Sequence, residues 1–175
     1  MSLKPYVLSL SIAAALTVTA GAHAARFDQM AIAGVAKGLA RQQSAALQAD
    51  SDDAFEATDV IVDADGTEHV RMQRSYRGLP VIGGDFVTHA RGGRLASTSL
   101  TLTAPLRLSL RPTLTAEDAV VAAGVEFGSD FIGRPDAALA VYARTAKPML
   151  AWQVRMPLAS LCLVICGTGI GLSLP

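Results

Sequence analysis

The chain has 175 residues, of which 51% are hydrophobic and 17% are charged, and its 15 Lys and Arg residues balance 15 Asp and Glu residues. This length accommodates one ordinary domain with appendages and excludes a large multidomain enzyme. The balanced charge argues against a nucleic-acid partner, because such proteins cluster Lys and Arg on one face. The apolar content argues against intrinsic disorder.

The first 24 residues have the pattern of a secretory signal peptide. Lys4 supplies a short positive region, residues 7–18 form an apolar run, and an A-x-A cleavage site ends at Ala24. The run is shorter than the roughly 20 residues of a membrane-spanning helix, which disfavours an uncleaved anchor. We therefore predict cleavage after Ala24 and a secreted or periplasmic protein.

Two segments precede the predicted sheet. Residues 25–48 are rich in Ala and place Val35 and Leu39 at helical spacing, which predicts a leader helix. Residues 49–53 contain three aspartates whose mutual repulsion predicts a solvated acidic linker between this helix and the folded body. A cation held by these aspartates is the less favoured alternative.

The hydrophobic period changes to two after residue 54, which is typical of strands. An alternating run that ends at Val62 leads into a tight turn at Asp65-Gly66, and Val70 and Met72 share one face of the return strand. The sequence therefore predicts a hairpin with one polar face.

Two further strands follow. Gly78-Leu79-Pro80 is predicted to break the second strand, because proline cannot donate to a central ladder. Residues 81–90 are predicted to form the next strand, and Gly83-Gly84 within it suggest a bulge or the close approach of another backbone. Residues 95–103 form the fourth strand after a glycine turn.

The second half predicts one helix and a hairpin. Thr115 suits the N-cap position, and Glu117 and Asp118 suit the first helical turn. Residues 139–144 and 149–156 are predicted to be paired strands. The expected fold class is α+β, an antiparallel sheet with a packed helix, preceded by a signal peptide and an N-terminal helix.

The turn after the second strand carries a family motif. The matching residues, in order, are Tyr76, Arg77, Gly78, Leu79, Pro80, Val81, Gly83, Gly84 and Asp85. This order resembles the propeptide of thermolysin-like and fungalysin-like secreted zinc metalloproteases. Ile82 stands where that family usually has an aromatic residue. The resemblance therefore does not imply an aromatic contact at this position.

The resemblance implies a division of the chain and a role for it. Residues 54–104 resemble the β-rich FTP subdomain, and residues 105–156 resemble the PepSY-like helix and strands that follow it. In the family this region helps the protease domain to fold and blocks its cleft until it is removed. The resemblance implies a non-catalytic inhibitor or folding assistant whose partner is a cognate metalloprotease catalytic domain. The motif residues other than Leu79 are then the candidate interface, either through direct contact or, for Gly83-Gly84, merely by twisting an edge strand.

The sequence contains no pattern that predicts catalysis. It lacks the His-Glu-x-x-His string of a zinc protease, a Gly-x-Ser-x-Gly elbow and a phosphate loop. Outside the predicted signal peptide the histidines are His69 and His89, and exposed strand histidines are a better interpretation than a metal site without a third ligand. We predict no enzyme activity, metal, cofactor or small-molecule substrate.

The uncharged segment at residues 157–175 departs from the family pattern. It is interpreted first as a truncation or frameshift, so that the chain is a fragment of a metalloendopeptidase precursor without its catalytic domain. A weakly membrane-seeking segment and a genuine last strand are the alternatives. Cys162 and Cys166 are interpreted as incidental apolar residues, because one such pair is neither a disulfide framework nor a zinc site.

Overall fold

The computed structural model describes residues 15–127, 133–155, 162–166 and 171–173. In chain order the elements are α1 (Ala15–Gln42), β1 (Asp53–Val62), β2 (Thr67–Tyr76), β3 (Leu79–Ile82), β4 (Phe86–Arg91), β5 (Arg94–Leu100), α2 (Ala116–Phe127), β6 (Asp136–Tyr142), β7 (Met149–Arg155), β8 (Cys162–Cys166) and β9 (Gly171–Ser173). These elements confirm the predicted α+β class. Most of the predicted signal peptide, residues 1–14, lies outside the described residues, and its last ten residues lie in α1.

Strand β2 is the branch point of the sheet. One edge pairs with β1 along most of its length, and the other edge pairs first with β4 and then, through residues 75–76, with β3. Strand β5 extends the sheet beyond β4, and β6, β7, β8 and β9 extend it beyond β3. The β3–β6 pair is parallel and the other pairs are antiparallel.

The sheet and its two helices form two units. The N-terminal unit consists of α1 with β1, β2, β4 and β5, and the C-terminal unit consists of α2 with β6 to β9. Strand β3 connects them. The N-terminal unit has a core of large side chains, in which the rings of Phe55 and Phe86 meet edge to face with centroids 5.0 Å apart. The other buried members of this core are Ala36, Ala40, Leu47, Val70 and Met72.

Helix α1 is part of this core. Ala36 and Ala40 are buried against the sheet, and Leu47, just beyond the helix, has no exposed surface. The prediction that an acidic linker separates a leader helix from the folded body is therefore wrong. The small alanine side chains allow the helix to approach the sheet closely, so it packs on the body.

The C-terminal unit packs a shorter helix on its strands. Thr115 and Asp118 cap this helix reciprocally: the Asp118 N–H donates to Thr115 Oγ1 over 3.2 Å, and the Thr115 N–H donates to Asp118 Oδ2 over 3.1 Å. The predicted N-cap is confirmed. Trp152 on β7 donates its indole N–H to the Leu114 carbonyl over 3.0 Å, which holds the segment before the helix on the sheet.

The predicted continuous strand over residues 81–90 is wrong. Strand β3 ends at Ile82 beside β6, whereas β4 begins at Phe86 and returns to β2. Gly83 and Gly84 interrupt the strand between β3 and β4: Gly83 has a φ of +86°, and the Gly84 N–H donates to the Val81 carbonyl over 3.2 Å, which forms a turn. The expected close backbone approach is confirmed at Gly83, where an added Cβ would lie 3.2 Å from the Arg144 backbone nitrogen.

The uncharged C-terminal segment contributes two strands to the sheet. Strand β8 pairs antiparallel with β7 through residues 162–166, and β9 pairs with β8. This backbone arrangement agrees with the last-strand interpretation, while truncation stays a prediction. Among the residues described, no helix combines the length and apolarity needed to cross a membrane.

Candidate functional site

The first half of the motif forms the turn between β2 and β3. Arg77 and Gly78 both have positive φ, +48° and +84°, and Tyr76 pairs with Leu79 across them. Two successive positive φ values give a hairpin turn of the primed type, whose first central position favours Asn, Asp or Gly. Arg77 is therefore an unusual residue in this backbone conformation.

Asp52 holds Arg77 in that conformation. The Arg77 backbone N–H donates to the Asp52 carbonyl over 2.7 Å, and its Nε donates to Asp52 Oδ2 over 2.8 Å. These side-chain hydrogen bonds raise the pKa of the Arg77 guanidinium above its ordinary value. The guanidinium carbon also lies 5.4 Å from the centre of the Tyr76 ring. The turn is thus anchored to the acidic segment by one arginine.

The three aspartates of residues 49–53 all pair with arginines. Asp52 pairs with Arg77, Asp50 lies 3.6 Å from Arg107, and Asp53 Oδ1 accepts from Arg74 Nε over 2.6 Å. The prediction of a solvated, mutually repelling linker is wrong, because each carboxylate has a cationic partner from another part of the chain.

Arg74 is the buried centre of this arrangement. Its side chain has no exposed surface, and it donates to the carbonyls of Leu47 and Gln48 over 3.1 and 2.6 Å as well as to Asp53. Its guanidinium carbon lies 5.7 Å from the centre of the Phe55 ring. Sequence reasoning missed Arg74, although the period of two that buries Val70 and Met72 also turns position 74 inward.

The second half of the motif borders a cavity of about 480 Å³. Its polar lining comes from four separate segments and consists of Arg71, Asp85, Ser99, Thr101 and Arg144, beside the backbone of Gly83. Arg71 Nη2 donates to Asp85 Oδ2 over 2.9 Å. Arg144 forms no ion pair with any other described residue. The cavity therefore offers one unneutralised guanidinium beside a neutralised one, an environment that suits an anionic group.

The structure divides the candidate interface residues into two groups. Tyr76, Val81 and Gly84 are buried, and a Cβ on Gly84 would lie 2.6 Å from Val81 Cγ1. The exposed or half-buried group consists of Arg77, Gly78, Pro80, Gly83 and Asp85. The first three of these lie at the turn and the last two lie at the cavity. Part of the motif therefore serves the fold, and only the second group can meet a partner.

His69 and His89 contact each other across β2 and β4. Their Nδ1 atoms are 2.6 Å apart, and the two rings meet edge to face. Both residues are half-buried, so the prediction that they are exposed is wrong. In the part of the chain that the structure describes, no group of three or more His, Cys, Asp or Glu side chains is placed to hold a metal.

Comparison with known proteins gives two matches. Residues 53–101 match the family model of the Fungalysin/Thermolysin Propeptide Motif, a segment that runs from β1 through β5. The Transglutaminase-activating metalloprotease of Streptomyces mobaraensis is 38% identical over 103 residues, which cover 54% of this chain and 13% of the relative. The chain thus spans a small part of that relative's length. Together the matches confirm the resemblance of this region to a thermolysin-like or fungalysin-like propeptide.

Proposed function

We propose that this chain acts as the propeptide of a secreted metalloprotease, binding the catalytic domain to assist its folding and to block its cleft, without catalysing a reaction itself. The observation that carries the proposal is the match of residues 53–101 to the propeptide motif. The metalloprotease relative supports the same context for the partner. Export by a signal peptide ending at Ala24 belongs to the proposal as well.

The exposed members of the motif indicate how the partner binds. Each residue of β3 already pairs with a neighbouring strand, residues 79–80 with β2 and residues 81–82 with β6, so little of its backbone is available to a protease cleft. Contact must then come from side chains at the turn, above all Arg77 and Pro80, and from the cavity beside Gly83. Complementarity of a protein surface to such groups sets specificity and orientation.

A refolding and inhibition experiment tests the proposal. A thermolysin-type catalytic domain is refolded with and without the exported chain, and the chain is titrated into the active enzyme during hydrolysis of a peptide substrate. We expect a higher yield of active enzyme in the first assay and a dose-dependent loss of activity in the second. The heat-denatured chain is the control.

The cognate enzyme is identified by capture from the culture supernatant of the producing organism. Zymography of the captured material should show a protease band that a zinc chelator abolishes. A natively folded chain that neither raises the refolding yield, nor inhibits, nor captures a chelator-sensitive protease would contradict the proposed function.

A further inference from the structure

The histidine pair has the geometry of two ligands aimed at one point. His69 and His89 are directly opposite each other in the β2–β4 register, and their Nδ1 atoms are the closest atoms of the contact at 2.6 Å. On the far side of each ring, Nε2 is held by an oxygen atom. His69 Nε2 lies 2.9 Å from Asp63 Oδ2, and His89 Nε2 lies 3.0 Å from Ser99 Oγ.

Asp63 determines which nitrogen of His69 is free. An ionised carboxylate only accepts hydrogen bonds, so His69 Nε2 carries a hydrogen and donates it to Asp63. In the neutral ring, Nδ1 then presents a lone pair towards His89. A carboxylate on the outer nitrogen of a histidine is the common way in which proteins orient a metal-binding imidazole and increase its basicity.

Ser99 allows His89 to present a lone pair at the same point. A serine hydroxyl both donates and accepts, so it suits either tautomer of His89. With the hydrogen on Nδ1, His89 donates to His69 and accepts from Ser99. With the hydrogen on Nε2, His89 donates to Ser99, and both Nδ1 lone pairs converge. Moving one hydrogen within the ring thus converts a hydrogen-bonded pair into a pair of ligands without loss of a proton from the protein.

From this geometry we propose that His69 Nδ1 and His89 Nδ1 bind a divalent first-row transition-metal ion, with Asp63 and Ser99 orienting the two rings. Imidazole nitrogen is a preferred ligand of Zn²⁺, Ni²⁺ and Cu²⁺. In a tetrahedral site, bonds of about 2.0–2.1 Å require the two nitrogens to separate to about 3.3 Å, a small opening of two half-exposed side chains. Water completes the coordination, because the described residues provide no third ligand in place.

The consequence of binding is a cross-link within the N-terminal unit. The two ligands lie on β2 and β4, Asp63 follows β1, and Ser99 lies on β5 and also lines the cavity beside the motif. An ion bound by the folded state stabilises it in proportion to its concentration relative to its dissociation constant. The site is independent of the proposed propeptide function, and it places a metal-dependent element beside the surface assigned to the partner.

Calorimetry and NMR on the full chain, without a histidine tag, test this site. Zn²⁺, Cu²⁺ and Ca²⁺ are titrated separately, and the imidazole resonances of both histidines are followed. We expect one saturable Zn²⁺ site that perturbs both rings, tighter binding of Cu²⁺ and no binding of Ca²⁺. His69→Gln and His89→Gln should each abolish the site, and Asp63→Asn should weaken it roughly 10–100-fold.

The matched control is Glu68→Gln. Glu68 is adjacent to His69 but lies on the opposite face of β2, so its substitution should leave Zn²⁺ affinity unchanged. Zn²⁺ binding that survives in both histidine variants would overturn the proposal, because the ion would be held elsewhere. Rings that respond to pH but not to Zn²⁺ in the unmodified chain would overturn it too, since the pair would then hold only a proton. This second test requires no variant to fold.

Discussion

The two units of the molecule share an architecture but have different cores. Each packs one helix on antiparallel strands, yet the cluster under α1 buries two phenylalanines and a methionine, whereas the cluster under α2 buries Ala119, Ala123 and Val154, and Tyr142 and Ala151 form a further small cluster on β6 and β7. Buried apolar area is the main favourable contribution to folding. We therefore predict that the C-terminal unit gains part of its stability from its contact with the N-terminal unit.

The contact is made by another cluster, at the junction of the units. Tyr76 and Val81 come from the motif, Val141 comes from β6, and Leu102 and Leu106 come from the extended segment after β5. This explains why the motif combines an aromatic residue and an apolar residue around a tight turn. Its buried half connects the units, and its exposed half is the surface that the proposed function assigns to a partner.

The largest expected effect comes from removing the buried cation of the N-terminal unit. Arg74→Ala leaves the buried Asp53 carboxylate without its cationic partner and removes the donor to the carbonyls of Leu47 and Gln48. We expect a loss of about 3–5 kcal/mol in the free energy of unfolding, measured by urea denaturation.

Arg71→Ala is the matched control on the same strand. Arg71 is exposed and paired with Asp85 at the surface, so its loss should cost about 1 kcal/mol or less. Equal costs would show that Arg74 does not hold this unit together.

A smaller effect is expected at the junction. Gly83→Ala places a Cβ 2.6 Å from Arg144 Cγ in a backbone with φ of +86°. Gly93→Ala has a similar φ of +73° but nothing within 4 Å, so it isolates the conformational cost of about 1–2 kcal/mol. We expect Gly83→Ala to cost about 1–3 kcal/mol more than Gly93→Ala, because of the steric overlap.

Hydrogen exchange shows which strands lose stability in Gly83→Ala. Hydrogen exchange in Gly83→Ala should rise most in β6 and β7, if the C-terminal unit is stabilised through the junction. Faster exchange confined to β1 and β2 would contradict this dependence.

A helix-cap substitution should have a smaller effect, limited to the C-terminal unit. Thr115→Ala removes the hydroxyl that accepts from the Asp118 N–H and should cost about 1 kcal/mol. Thr115→Ser is the control, because it keeps the hydroxyl. Exchange should accelerate in α2 and remain unchanged in α1. Equal acceleration in both helices would mean that the units unfold together under native conditions.

Sequence patterns predicted the local elements better than the long-range contacts. The hairpin of β1 and β2, the end of β2 before Gly78-Leu79-Pro80 and the cap at Thr115 follow from period, breaker residues and N-cap chemistry within a few positions. The pairing of residues 50–53 with Arg74 and Arg77 joins segments more than 20 positions apart, and no local pattern encodes it. The His69–His89 contact depends in the same way on the β2–β4 register, which no local pattern sets.

The smallest expected change in stability separates the two roles of the motif. Arg77→Asn replaces a residue strained at φ of +48° with one that tolerates this region, a gain of about 1 kcal/mol. It also removes the exposed ion pair with Asp52, a small loss that opposes this gain. The two terms nearly cancel, so urea denaturation should show a change of less than about 1 kcal/mol. The proposed function nevertheless predicts weaker inhibition of the protease domain, because the guanidinium is lost from the exposed half of the motif.

Asp52→Asn is the control: it removes the ion pair but keeps the guanidinium, so inhibition should persist. If Arg77→Asn inhibits as well as the unmodified chain, Arg77 serves only the turn, and the partner must bind at the cavity beside Gly83.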